Sequence, residues 1–302
     1  MPRATVNGGI ELEYETIGSP EDPTFLLIMG LTAQLIHWPD GFCEQLVGRG
    51  YHVVRFDNRD SGLSTKFEGI QVDLGSLLTA ALSGQPPPAD APPPDVPYTL
   101  SDMAADALGL LDHLGIDRAH VVGASMGGMI AQQLAIEHPE RVSSLVSIMS
   151  MSGEFDYGKP DPEAAQLLFT PPPTDRDAYI ARAADGAVIS STRYFDLAQA
   201  EEFAARSYDR SFYPEGAARQ LGAVYASGPR TTTLPEIKAP TLVIHGRDDR
   251  LITPSGGQRT AELIPGASYF LVADMGHDLP EPLWPVFVDA IAGHAAYAST
   301  QV

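Results

Sequence analysis

The sequence predicts an α/β fold: a mostly parallel, doubly wound sheet with a helical cap inserted into it. Three observations predict it. Short β-branched apolar runs alternate with helical stretches over much of the 302 residues, as in a parallel sheet covered on both faces. One run passes into a helix through the glycine-flanked turn Gly123-Ala124-Ser125-Met126-Gly127, which is too tight for larger residues at the two glycines. Residues 151–235 lose the strand–helix alternation while staying rich in Ala, Tyr and Phe, as a helical insertion would.

The elements follow in order. Ala4-Thr5-Val6 and Ile10-Glu11-Leu12-Glu13-Tyr14 flank Asn7-Gly8-Gly9, a strong hairpin signal. Apolar runs at Thr24–Met29, Tyr51–Phe56, Ala119–Val122, Val142–Met149, Thr241–His245 and Tyr269–Val272 read as buried strands. After the Ser125 turn, Met129, Ile130, Leu134 and Ala135 recur near helical spacing. His138-Pro139 closes that helix, because the residue before proline avoids the helical region. Within the insertion, Ala178-Tyr179-Ile180-Ala181 and Ala200–Ala205 also look helical. Residues 66–98 carry Gln85-Pro86-Pro87-Pro88 and Ala91-Pro92-Pro93-Pro94. Proline this dense fits neither an interior strand nor a helix, so this stretch is expected on the surface. The expected division is a core of 1–150 and 236–302, with the excursion 66–98, and a cap of 151–235.

Composition narrows the partners. A net charge of −20 repels nucleic-acid phosphates and anionic membranes, so neither is expected as a partner. The opening Met1-Pro2-Arg3-Ala4-Thr5-Val6 has no apolar signal segment, and no run reaches the length of a membrane span. The default expectation is a cytoplasmic protein. A single cysteine, Cys43, excludes an internal disulfide and reads as a small buried apolar group. Oligomeric state leaves no signal in the chain.

The chemistry centres on Ser125. A strand–turn–helix that lifts a serine hydroxyl above the end of a sheet is a nucleophile elbow. A serine hydroxyl is a poor nucleophile at neutral pH, so it needs a base, and the base needs an orienting group. Of the eight histidines, His277 has the right address, in Asp274-Met275-Gly276-His277-Asp278 just past the last strand. The other seven sit in strands, on helix faces or at helix ends, where structural roles are expected. The orienting acid should follow Thr241–His245, where Gly246-Arg247-Asp248-Asp249-Arg250 offers two neighbouring aspartates. Spacing alone does not separate them.

The order of serine, acid, histidine along the chain resembles that of the α/β-hydrolases. Further motifs carry the resemblance over nearly the whole core. Ile28-Met29-Gly30-Leu31 is similar to the oxyanion loop, with Met-Gly where many relatives have His-Gly. Asp57-Asn58-Arg59-Asp60-Ser61-Gly62-Leu63-Ser64 resembles the family's D-x-R-G-x-G-x-S turn, with Asp60 in place of the usual glycine. Tyr98–Ala104, Gly246–Asp249 and Gly276-His277 complete the set. The chain is most similar to the serine esterases with a helical cap, in the methylesterase and carboxylesterase-like branch.

The resemblance implies Ser125 as nucleophile, His277 as base and Asp249 as orienting acid. It implies the Leu31 and Met126 N–H groups as the oxyanion hole. The expected activity is hydrolysis of small to medium apolar carboxylic esters through an acyl-enzyme. No cofactor and no metal is implied, because the three groups supply nucleophile, base and charge stabilisation. Met29, Gly30, Trp38 and Met129, with Leu35, lie near Ser125 or the oxyanion loop in sequence and are expected to contact substrate. The cap adds Phe155, Tyr157, Phe169, Tyr194, Phe195, Phe212 and Tyr213. A lactonase or C–C-bond hydrolase would use the same groups, and a non-enzymatic ligand-binding scaffold is the rival of another class. Dehalogenase and epoxide-hydrolase relatives carry aspartate where Ser125 stands. Proline iminopeptidases usually have tryptophan where Met126 stands.

Overall fold

A computed structural model describes residues 2–76, 79, 85 and 93–301. Most of the proline-dense stretch 85–94 lies outside the described residues. The strands are β1 (Arg3–Val6), β2 (Ile10–Ile17), β3 (Thr24–Ile28), β4 (His52–Phe56), β5 (Ala119–Ala124), β6 (Val142–Ile148), β7 (Thr241–Gly246) and β8 (Ser268–Val272). They form one sheet in the order β1-β2-β4-β3-β5-β6-β7-β8. β1 and β2 pair antiparallel through the Asn7-Gly8-Gly9 turn, whose three residues all have positive φ. β2 also runs antiparallel to β4, and every later pairing is parallel.

Alternation along the strands explains why both faces are covered. In β3, Leu26 and Ile28 face one core while Phe25 and Leu27 face the other. Val121 and Val122 of β5, and Leu145 and Val146 of β6, divide the same way. A strand apolar on both sides must be covered on both sides. Helices α2 (Leu100–His113), α3 (Met126–Glu137) and α8 (Pro254–Leu263) occupy the first face. Helices α1 (Asp40–Val47) and α9 (Trp284–Ser299) occupy the second. The α2 helix starts with a reciprocal cap: the Thr99 side chain accepts from the Asp102 N–H, and Asp102 accepts from the Thr99 N–H and hydroxyl at 2.8 Å each. Among the described residues, no helix is long and apolar enough to cross a membrane.

Between β6 and β7 the regular structure is helical throughout: α4 (Pro162–Phe169), α5 (Arg176–Ala181), α6 (Leu197–Arg210) and α7 (Gly216–Ala226), with short 3-10 turns. These inserted helices, here called the cap, sit over the C-terminal edge of the parallel strands. They touch the loops after β3, β4, β7 and β8: Gln34 Nε2 donates to Ser207 O at 2.7 Å, Gln220 Nε2 to Arg59 O at 2.7 Å, Arg250 Nε to Asp161 at 2.6 Å, and the His277 N–H to Ile189 O at 2.6 Å.

Two buried ion pairs fasten the cap to the turn after β4. Asp57 pairs with Arg210 at 2.8 Å and accepts from the Leu35 and Leu63 N–H groups at 2.6 and 2.8 Å. Asp60 accepts from Arg219 at 2.8 and 3.0 Å, from the Tyr98 hydroxyl at 2.6 Å and from the Phe67 N–H at 2.8 Å. Asp60 also explains its own departure from the family pattern. Its φ is 63°, a conformation that glycine takes freely and aspartate tolerates better than most residues. The carboxylate gains four donors there in return. At Gly216 a Cβ would overlap the Asp60 carbonyl, so α7 lies in backbone contact with this turn.

Removing one member of a fully buried pair strands the other charge. Arg219→Met is therefore expected to lower stability by about 3–5 kcal/mol in urea unfolding. Adding Asp60→Gly should recover most of that loss, because it removes the orphaned charge and suits the backbone. A single variant as stable as the wild type would refute the latch.

Candidate active site

Ser125 sits where β5 becomes α3. Its backbone has φ 55° and ψ −122°, outside the regions ordinary residues favour. Its N–H donates to Ile148 O of β6 at 2.9 Å, while its own carbonyl accepts from the Gly128 and Met129 N–H groups at 2.9 and 3.3 Å. A Cβ at Gly123 would overlap the Gly127 carbonyl, and a Cβ at Gly127 would overlap the Ile28 carbonyl. Glycine at both places lets sheet and helix backbones close around the turn. Gly128, with its would-be Cβ 2.6 Å from that of Ser150, extends the same requirement one residue further.

Asp249 and His277 arrive from the loops after β7 and β8, adjacent parallel strands on the same sheet edge. His277 Nε2 lies 3.0 Å from Ser125 Oγ, and His277 Nδ1 lies 2.8 Å from Asp249 Oδ2. A carboxylate only accepts, so the Nδ1–H donates to it and the bare Nε2 is left to accept the serine proton. Asp249 Oδ1 accepts from the Leu251 and Ile252 N–H groups at 2.9 and 3.0 Å. Of the two neighbouring aspartates, Asp249 is the one within hydrogen-bond reach of His277, while Asp248 is exposed and faces Arg247 at 3.5 Å.

A second imidazole also reaches Asp249. His245, fully buried at the end of β7, donates from Nε2 to Ile252 O at 2.7 Å and lies 3.4 Å from Asp249 Oδ2. Sequence reading gave His245 only a structural strand role. The i, i+4 spacing across the Gly246–Asp249 turn was the one available hint. Burial alone would push the Asp249 carboxyl up. The His277 charge and the N–H donors of His245 and His277 outweigh burial and hold it at about 2.

The loop after β3 passes directly against Ser125. A Cβ on Gly30 would lie 3.0 Å from Ser125 Cβ and 3.2 Å from Ala124 O. Among the described residues, neither the Leu31 nor the Met126 N–H donates to a backbone carbonyl or a side chain. The histidine loop is held from above. Asp278 accepts from the Gly276 N–H at 3.1 Å and from the cap Ser191 N–H at 3.0 Å.

These groups open into one cavity of about 2,430 Å³ between the sheet edge and the cap. Met29, Gly30, Leu31, Ser125, Met126, Met129 and His277 line it, together with all seven aromatics expected from the cap. Trp38 does not, and the expectation that it contacts substrate is corrected here. Its side chain is fully buried and stacks on Phe42, with ring centroids 5.7 Å apart, in the core between β3, β4, α1 and α9. The 3-10 turn Leu35–His37 stands between Gly30-Leu31 and Trp38, and Leu35 in that turn is fully buried as well. No group of three or more His, Cys, Asp or Glu side chains is placed to hold a metal ion among the described residues.

The sheet order, the elbow and the hydrogen-bonded Ser-His-Asp arrangement define an α/β-hydrolase. Residues 23–281 match the family model described as the alpha/beta hydrolase fold, and the chain belongs to that family. Among curated proteins it is similar to the rhodomycin D methylesterase DnrP of Streptomyces peucetius, 28% identical over 323 residues that cover 99% of this chain and 100% of the relative. Among solved structures it is similar to the enol-lactonase of Burkholderia xenovorans LB400, with a TM-score of 0.71 and 23% identity over 98% of this chain and 100% of that one. A meta-cleavage product hydrolase of Pseudomonas fluorescens IP01 superposes with a TM-score of 0.74 at 19% identity, covering 99% and 98% of the two chains. These two structures share the fold.

The depressed carboxyl gives a signed pH effect. A carboxyl held at about 2 in the fold, against an ordinary 3.8, stabilises the fold above pH 4 and loses that contribution as pH falls towards 2. The stability gap between wild type and Asp249→Asn should therefore shrink by about 2 kcal/mol over that window in acid unfolding. A gap independent of pH there would contradict the charge assignment.

Proposed function

We propose that the chain is a serine-dependent carboxylic ester hydrolase, with Ser125 as nucleophile, His277 as base and Asp249 as orienting acid. The observation that carries this reading is the unbroken relay from Ser125 Oγ to His277 Nε2 at 3.0 Å and from His277 Nδ1 to Asp249 at 2.8 Å. Ser125 Oγ attacks the ester carbonyl while Nε2 takes its proton. The new oxyanion is received by the Leu31 and Met126 N–H groups, which have no competing acceptor among the described residues. His277 then protonates the departing alcohol. In the second half, His277 takes a proton from water, the hydroxide attacks the acyl-enzyme, and Ser125 leaves with the proton returned. Asp249 holds the ring in the tautomer that does this and stabilises the imidazolium.

The substrate is an uncharged ester with a bulky apolar portion. A cavity of about 2,430 Å³ has room beyond that needed by a short acyl ester, since drug-sized ligands fill roughly 300–1,000 Å³. Aromatic side chains from the cap form much of its wall. The similarity to a protein named as a methylesterase favours the ester over the lactone and C–C-bond readings, which would use the same three groups. A lining that is apolar for the greater part, with charges of both signs among it, favours an uncharged acyl group.

Ser125→Ala should cut turnover of p-nitrophenyl esters by about 10³-fold or more and abolish fluorophosphonate labelling. Wild-type turnover in a folded Ser125→Ala protein would reject the mechanism. Within an ester series, kcat/KM should rise as uncharged acyl groups lengthen or gain rings; a preference for charged acyl groups would reject the substrate class. Absence of labelling in the wild type would favour a binding scaffold.

A further inference from the structure

The cap helix α7 contributes one buried side chain to the loop beside Ser125. Gln220 is fully buried, although it belongs to the insertion and lies 188 residues from its partner. Its Oε1 accepts from the Thr32 N–H at 2.7 Å, and its Nε2 donates to Arg59 O at 2.7 Å. It thus bridges the loop after β3 and the turn after β4 through both ends of its amide.

Thr32 needs such a partner. Its φ is 58°, where a β-branched residue is a steric outlier. A backbone held there persists only when its surroundings over-determine it. The bond to Gln220 fixes the Leu31–Thr32 peptide plane, one Cα away from the Leu31 N–H. Other side-chain holds on this loop include Asn58 Nδ2, donating to Met29 O at 2.8 Å, Ser61 Oγ, donating to Thr32 O and Ala33 O at 3.1 and 2.8 Å, and the contacts of Gln34 with Ser207, Arg210 and Ser211. No other side chain among the described residues accepts from the Thr32 N–H.

The seating of α7 determines where Gln220 reaches. Gly216 lies in backbone contact with Asp60, and Arg219, the residue before Gln220, is paired to the Asp60 carboxylate. Helix register, buried pair and amide bridge therefore form one rigid connection from cap to loop. We infer that Gln220 is a positioning residue that couples the seating of the cap to the placement of the Leu31 oxyanion donor, so that the cap tunes the barrier as well as enclosing substrate. This rests on the hydrolase reading above.

The test compares wild type, Gln220→Met and Gln220→Glu. Turnover of p-nitrophenyl butyrate is measured together with inhibition by an alkyl trifluoromethyl ketone, whose hemiketal on Ser125 places an oxyanion in the same hole. Met keeps the volume and loses both hydrogen bonds. Gln220→Met should lower kcat by about 10- to 100-fold with KM within about twofold, and weaken the ketone by the same factor as kcat/KM. Gln220→Glu, which retains an acceptor for the Thr32 N–H but loses the donor to Arg59 O, should recover part of the loss. A purely structural role would lower melting temperature without this split between kcat and KM. If Gln220→Met does not fold, Gln220→Asn, one methylene too short to reach Thr32, takes its place with the same expected outcome. A Gln220→Met enzyme within about twofold of wild type in kcat, or one whose kcat falls while ketone affinity is unchanged, overturns the coupling. A wild type that neither turns over the ester nor labels with fluorophosphonate overturns the hydrolase reading and the coupling with it.

Discussion

The site depends on a close approach of three backbones. The end of β5, the start of α3 and the end of β3 meet around Gly123 and Gly127, where any Cβ would overlap a carbonyl. Only that contact lets the chain reverse at Ser125 with φ 55° and ψ −122°. The same contact presses Gly30 against Ser125 and so brings the loop after β3 to the serine hydroxyl. Strain at one residue is thereby held by packing at several others. Hydroxyl, loop amides and helix start are placed together, before any substrate arrives.

The second organising feature is the placement of buried charge. Asp57 with Arg210 and Asp60 with Arg219 tie the cap to a single turn after β4. Buried pairs of this kind add little net stability over well-packed apolar residues, but they define one geometry and punish any other. Here the defined geometry is the distance between the cap and the loops that carry the site. His277 and Gly276 meet Ile189 and Ser190 of the cap through backbone contact, with the His277 N–H donating to Ile189 O. The cap is therefore continuous with the site at the β3, β4 and β8 loops, and the aromatic cavity between them belongs to both.

Much of this was legible in the chain. The inner strands β3 to β7 were legible because strands buried on both faces read as unbroken apolar runs, β8 because its apolar run reads the same way, and β1 and β2 because their alternation flanks a glycine turn. Ser125 and His277 were legible because each stands in a short segment whose glycines have a backbone reason. Asp249 was legible only with the family resemblance, since Asp248 has the same neighbours in sequence. Trp38 was misplaced because proximity along the chain was taken for proximity in space, and a 3-10 turn intervenes. His245 carried only the hint of its i, i+4 spacing to Asp249, and Gln220 carried no usable signal. Both are polar residues in segments whose periodicity says only that they are buried.

The sequence by itself determined the local structure and the chemical types: where strands end, which turn must carry glycine, and that an alcohol, an imidazole and a carboxylate lie at strand ends. These are matters of short range, set by sterics and by the period of apolar residues. Only the tertiary structure decided which carboxylate the imidazole meets, that a second histidine shares it, that tryptophan turns inward and that a cap glutamine reaches the loop beside the serine. Each of these is a hydrogen bond or contact between segments that the chain brings together only after the sheet has closed and the cap has seated, and no local pattern encodes a distance across that gap.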